Sequence, residues 1–173
     1  GSSTLRAAWV SDGNAVEGHV WWDTTLHIEY VYLGGWRPFA SDWISYTPSL
    51  STITVGAGSA TTRYKWVAGR VLVHLRFTIG SGGNISGVAK VALPVARAAL
   101  SHDYQVSSEM GHAFDLSPST TNYLFTILAD GSSTTVVRFG YGMPTISGDV
   151  TATNPFTLTS GDVYEAMFTY DPS

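Results

Sequence analysis

The sequence predicts an all-β protein: an antiparallel, jelly-roll-like β-sandwich preceded by a small β-hairpin module. Three observations lead there. Runs rich in β-branched and aromatic residues alternate with period two along most of the chain. Turn-forming clusters of Gly, Asn, Asp and Ser separate them. The tract with helix-like composition, Val88 to Leu100, is interrupted by Pro94, which pushes its predecessor towards extended backbone.

In chain order, strands are expected at His19–Asp23, Ile28–Leu33, Thr61–Val67, Val71–Ile79, Val88–Leu93, Tyr104–Ser108, Tyr123–Leu128, Thr134–Phe139 and Tyr164–Tyr170. Between them lie Ser11-Asp12-Gly13-Asn14, Gly34-Gly35, Ala68-Gly69, Ser81-Gly82-Gly83-Asn84, Ala129-Asp130-Gly131-Ser132 and Ser160-Gly161-Asp162. Ala68-Gly69 reads as a tight hairpin turn. In the strand after it Val71, Val73, Leu75, Phe77 and Ile79 share one face, and Arg70, Leu72, His74, Arg76 and Thr78 share the other. One buried and one partly exposed face of an antiparallel sheet would carry that pattern.

A division is expected near Phe39–Asp42, giving an aromatic-rich hairpin module over residues 4–41 and a sandwich over residues 42–173. Trp9, Trp21, Trp22, Trp36 and Trp43 crowd into the first part or its border. About forty residues cannot bury that many indoles in a core of their own. These five are therefore read as packing residues, set against the following domain or against neighbouring chains.

Charged residues make up 13% of the chain and hydrophobic residues 44%, against about 25% charged in an ordinary soluble domain. So neutral a surface favours association, and oligomerisation is expected. The net charge of −4 and the lack of any run of Lys or Arg argue against nucleic acid as a partner. No apolar stretch approaches the roughly 20 residues of a membrane span, so no membrane insertion is expected. Without cysteine there is neither a disulfide framework nor a thiolate metal site.

Catalysis finds little support. His112 lies three residues from both Glu109 and Asp115, with His102-Asp103 nearby. Such spacing gathers acids and a base on a helix, whereas on a strand residues three apart point to opposite faces. The run Gly80-Ser81-Gly82-Gly83 precedes no helix and reads as a turn rather than a phosphate loop. No catalytic residue, cofactor or metal is expected. Binding is the stronger reading, because Trp and Tyr rings stack on the apolar faces of sugars while polar neighbours bind the hydroxyls. The candidates are Trp66, Tyr104, Tyr123 and Tyr141, with Asp103, His112 and Asn122 beside them. For each ring singly, packing in a core or interface is the competing explanation.

Two motifs occur together: Val16-Glu17-Gly18-His19-Val20-Trp21-Trp22-Asp23 leading to Tyr30-Val31-Tyr32-Leu33-Gly34-Gly35-Trp36, then Asp42-Trp43-Ile44-Ser45-Tyr46-Thr47-Pro48-Ser49-Leu50. Gly58–Lys65, Gly69–Phe77, Val91–Val95, Asn154–Leu158 and Ser160-Gly161-Asp162 follow in order. This series resembles the C-terminal region of tail-fibre or minor tail proteins of bacteriophages that infect actinobacteria. The resemblance implies a homotrimeric fibre tip on the virion, joined to the rest of the tail fibre upstream and contacting a bacterial cell-surface glycan. Ser101–Thr121 matches no part of the pattern and is where recognition loops are expected. Two alternatives stand beside this reading: a purely structural trimerisation and folding cap, and a depolymerase or esterase acting on host polysaccharide.

Overall fold

The computed structural model describes residues 3–98, 105–116, 121–130, 133–141 and 148–173. Among the described residues the fold is all-β apart from one short helix, α1 (Ser3–Ser11). The strands are β1 (Val20–Asp23), β2 (Ile28–Tyr32), β3 (Trp36–Ser41), β4 (Ile44–Ser45), β5 (Ile53–Thr54), β6 (Ser59–Val67) and β7 (Arg70–Thr78). They continue with β8 (Asn84–Ile85), β9 (Lys90–Ala92), β10 (Gln105–Asp115), β11 (Thr121–Ala129), β12 (Val136–Tyr141), β13 (Gly148–Asp149) and β14 (Val163–Tyr170).

β1, β2 and β3 form an antiparallel three-stranded sheet. The hairpin expected from the sequence thus has a third strand, which Pro38 disguised, since proline is depleted from strands and confined to edges and bulges. Here it sits beside a bulge: Tyr30 pairs with Pro38 but Glu29 with Ala40, leaving Phe39 as the extra residue. The Phe39 carbonyl accepts the N–H of Gly69 at 3.0 Å, and Trp66 N–H donates to Ser41 Oγ at 2.9 Å. Those bonds tie the small sheet to the next one.

Helix α1 was not foreseen. It has no acidic residue in its first turn and no basic residue in its last, so nothing complements its dipole, and nine residues are too few to hold a helix in isolation. Docking supplies the stability. Arg6 lies 3.5 Å over the Tyr30 ring and 3.5 Å from Asp23, and Trp9 meets Trp21 edge-on at 5.1 Å.

The larger sheet runs β13-β12-β11-β10-β14-β7-β6-β4, with β9 also pairing β12. β10, β11 and β12 form a meander, and β14 returns over a long connection to lie beside β10, which is a Greek key. The sheet curls onto itself: Phe77 on β7 stacks on Phe139 of β12 at 6.3 Å, although three strands separate them in the hydrogen-bonded order. Curling makes the sandwich. Its interior holds Val71, Val73, Leu75 and Phe77 of β7, Phe125 and Ile127 of β11, Val137 and Phe139 of β12, and Tyr164, Phe168 and Tyr170 of β14. Full burial of each such side chain contributes about 1.5–3 kcal/mol. The alternation read for Val71–Ile79 is reproduced, and β6 and β7 are joined by the expected tight turn at Ala68-Gly69.

Two short pieces close the sandwich. β5 pairs β8, and the Gly80–Gly83 turn folds against residues 55–58, with Gly80 N–H donating to Val55 O at 2.8 Å and Ala57 N–H to Ser81 O at 2.9 Å. Residues 96–98 run antiparallel to the C-terminal end, where Ala98 N–H donates to Asp171 O and Ser173 N–H to Ala96 O. Val88–Leu93 is a strand at its centre, β9, as the proline argument required.

Candidate functional site

The Gln105–Asp115 tract is a strand, so the three-residue spacing around His112 does not gather a base and two acids on one face. His112 points away from the core, where its Nδ1 lies 3.2 Å from Asn122 Oδ1 on β11 and its ring stacks on Phe114 at 5.9 Å. Tyr123 points the other way, stacking on Phe156 at 5.1 Å against the core. Trp66 belongs to the core cluster and is buried, so its ring is not offered to the open surface. Asp103 and Tyr104 lie outside the described residues. Tyr141 ends β12, paired with Phe125 and Gly148 in backbone register. Of the proposed sugar-contacting side chains that are described, then, His112 and Asn122 meet on the outer face.

A denser group occupies that same outer face. Trp43 precedes β4, whose Ile44 pairs with Tyr64 of β6 and turns inward. Trp43 is thereby set beside the outward residues of β6. The Arg63 guanidinium lies 4.6 Å from its ring centroid, the Lys65 ammonium 5.0 Å, and His74 meets it edge-on at 6.4 Å. Arg63 Nε–H donates to His74 Nδ1 at 3.3 Å, His74 Nε2 lies 2.9 Å from Glu165 Oε1, and Arg76 is 3.8 Å from Glu165 Oε2. Strand register continues the row: Arg76 faces Glu165, Glu165 faces His112, and His112 faces Leu124. An indole with two cations over its ring and an imidazole at its edge joins an aromatic surface to charged hydrogen-bond donors, a combination that suits a sugar ring bearing polar or charged substituents. Reading Trp43 as a packing residue captured half of this, since it is partly buried. The ring of polar groups around it was missed.

The N-terminal motif is explained by folding. Glu17 Oε1 accepts the Gly34 N–H at 2.6 Å, fixing the β2–β3 turn, and Asp23 Oδ1 accepts the N–H groups of Thr25 and Leu26 at 3.0 Å each, fixing the β1–β2 turn. The bond from Leu26 is the main reason the Asp23 carboxyl titrates below the usual range, with Thr25 and Arg6 adding to it against the cost of burial. In the second motif, Thr62 Oγ1 donates to the Tyr46 carbonyl and Tyr46 packs edge-on against Tyr64 at 5.8 Å. Glu17, Asp23 and Tyr46 of these motifs thus serve the fold, and Trp43 is the motif residue that belongs to the candidate site.

Trp9, Trp21 and Trp36 pack on one another inside the module, edge-to-face with centroids 5.1 and 6.2 Å apart, rather than against the following domain as expected. Their buried indole N–H groups have no hydrogen-bond partner among the described residues. Trp22 remains 42% exposed, joined at the module surface by Leu5, Val10, Val16, Val20, Leu26, Leu33 and Phe39. A cavity of about 380 Å³ lies between the two sheets, lined by Leu33, Arg37, Phe39, Trp66, Val95 and Pro172 among others. Among the described residues no group of three His, Asp or Glu side chains is placed to hold a metal ion, and no helix is long and apolar enough to cross a membrane.

Comparison with known proteins adds no relative: no family model, no curated protein and no solved structure matches the chain.

Proposed function

We propose that this chain is the receptor-binding tip of an actinobacteriophage tail fibre or minor tail protein, a homotrimer on the virion that attaches to host cell-surface glycan without catalysis. The observation that carries the reading is the Trp43 group, a partly exposed indole with Arg63 and Lys65 over its ring and His74 edge-on, on the open face of a β-sandwich. The ordered motif series from Val16 to Asp162 supplies the virion context. Weak contacts at each copy add up when three tips engage one cell surface. The test is adsorption: labelled purified chain should bind actinobacterial host cells and compete with phage for them. Failure of both on every host that the phage infects removes the reading.

A second reading, a structural trimerisation cap, is favoured by the N-terminal module. Most of the exposed large apolar side chains of the described residues lie on it, and a patch of that kind marks an association surface. Under this reading the chain forms stable trimers by mass measurement in solution, binds no glycan, and its deletion stops assembly of the upstream fibre.

A further inference from the structure

The linear sequence shows no basic run, yet the fold assembles one. Arg63 and Lys65 on β6, and Arg70 and Arg76 on β7, share the outward parity of two strands joined by a two-residue turn. That is four of the chain's nine Lys and Arg residues, on one hairpin face of a protein whose net charge is −4. Two carboxylates face them. Asp171 pairs with Arg70 at 2.8 Å, and Glu165 is shared between His74 and Arg76. Among the described residues Arg63 and Lys65 are paired with no acid and have Trp43 as their neighbour. A locally cationic patch on an acidic chain focuses attraction for an anion at one place. The indole at its centre adds a flat apolar surface of the kind sugar rings stack on.

We infer that the outer face of β6–β7, centred on Trp43, Arg63 and Lys65, binds an acidic polysaccharide whose charge is carried by carboxylate or phosphate groups. The inference rests on the glycan-binding reading and narrows it from glycans in general to anionic ones. Arg63 and Lys65 would pair the acid groups while Trp43 stacks on a sugar ring. From Trp43 the face continues across β7 and β14 to His112 and Asn122 on β10 and β11, roughly 19 Å at the usual strand spacing, long enough for several sugar units. Arg76 and the His112–Asn122 pair along that path supply hydrogen bonds to hydroxyls, while both ring nitrogens of His74 are engaged by Arg63 and Glu165.

The experiment titrates the whole chain with polygalacturonate oligomers, poly(glycerol phosphate), dextran, single-stranded DNA and phosphatidylglycerol vesicles, following tryptophan fluorescence and heat of binding. At least one of the two acidic glycan-type polymers is expected to bind, more weakly as salt rises, and the first two probes report whether carboxylate or phosphate is preferred. R63Q/K65Q should lower that affinity about tenfold or more, as expected for lost charge-assisted contacts, and W43A should do likewise. Because W43A removes a partly buried ring, Lys65→Gln alone and W43F serve as variants that keep the fold, checked by thermal melting. The inference is overturned if dextran binds as tightly as the acidic polymers, if R63Q/K65Q binds them like the parent, or if DNA or vesicles bind more tightly than either. If those results come with intact adsorption to cells, the glycan reading survives and only its anionic form is lost. If adsorption itself is absent, the broader reading falls.

Discussion

His74 Nε2 lies 2.9 Å from Glu165 Oε1 across the β7–β14 pair, while Arg63 Nε–H approaches the other ring nitrogen, Nδ1, at 3.3 Å. Guanidinium N–H only donates, so Nδ1 must accept and the ring proton sits on Nε2, where it donates to Glu165. The histidine is a relay that holds Arg63 beside Trp43 from the far side of the hairpin. Nitrogen NMR of the imidazole should show the Nε2–H tautomer. In Glu165→Gln, whose amide can turn either its oxygen or its NH₂ to the ring, that tautomer should be less dominant. A dominant Nδ1–H form in the parent would overturn the assignment.

The β6–β7 turn offers a stability test. Ala68 has φ +50° and Gly69 φ +79°, the double left-handed geometry of a type I′ hairpin. A β-carbon in that region costs about 1–2 kcal/mol. Ala68→Gly should therefore raise stability by about 0.5–1 kcal/mol in urea unfolding, Ala68→Asn should raise it because its side chain hydrogen-bonds locally in that region, and Gly69→Ala should lower it by about 1 kcal/mol or more.

Gly111 of β10 pairs directly with Phe125 of β11, and that ring covers the space a side chain would fill. Gly111→Ala drives a methyl into a buried ring that also packs on Phe139 at 4.8 Å. A loss of roughly 1–3 kcal/mol is expected from overpacking. The same substitution in a Phe125→Leu background should cost less, a coupling that a double-mutant cycle reads directly.

Asp162 is fully buried and accepts three hydrogen bonds, from Leu116 N–H at 3.0 Å, Thr159 N–H at 2.6 Å and Thr159 Oγ1 at 3.1 Å. Asp162→Ala strands those donors, and a loss of about 3 kcal/mol is expected. Asp162→Asn should also destabilise, since an amide turns N–H groups towards donors. Thermal melts of both variants check this.

Acid should loosen the N-terminal module. The Asp23 carboxyl is held below its ordinary value of about 3.9, chiefly by the Leu26 N–H. A lowered folded value means the contribution is complete above about pH 4 and is lost as pH falls through the folded value. Tryptophan fluorescence of the Trp9–Trp21–Trp36 cluster should change over that acid range in the parent. In Asp23→Asn the pH dependence should flatten, with lower stability at neutral pH.

How far the sequence reached differs from element to element. Strand periodicity and turn chemistry are local, so β1, β2, β6, β7, β11, β12 and β14 and the Ala68-Gly69 turn could be read directly. β3 was hidden because Pro38 and the bulge at Phe39 break the period. α1 was hidden because its stability comes from Arg6 and Trp9 docking on the small sheet, not from its own residues.

The candidate site divides the same way. Parity along β7 placed Arg70 with His74 and Arg76 on the outward face, and one sequence is enough to know that, whereas the register of β6 on β7 sets Arg63 and Lys65 on the same side. Period two says which face a side chain takes but not which strand lies alongside, because neighbours are chosen by long-range closure of the core. Only the fold placed β14 against β7, bringing Glu165 to His74, and set Trp43 beside Arg63. By itself the sequence determined an all-β chain with one polar and one apolar face to its central hairpin. The tertiary structure decided that the scattered cations of that polar face stand together around a single indole.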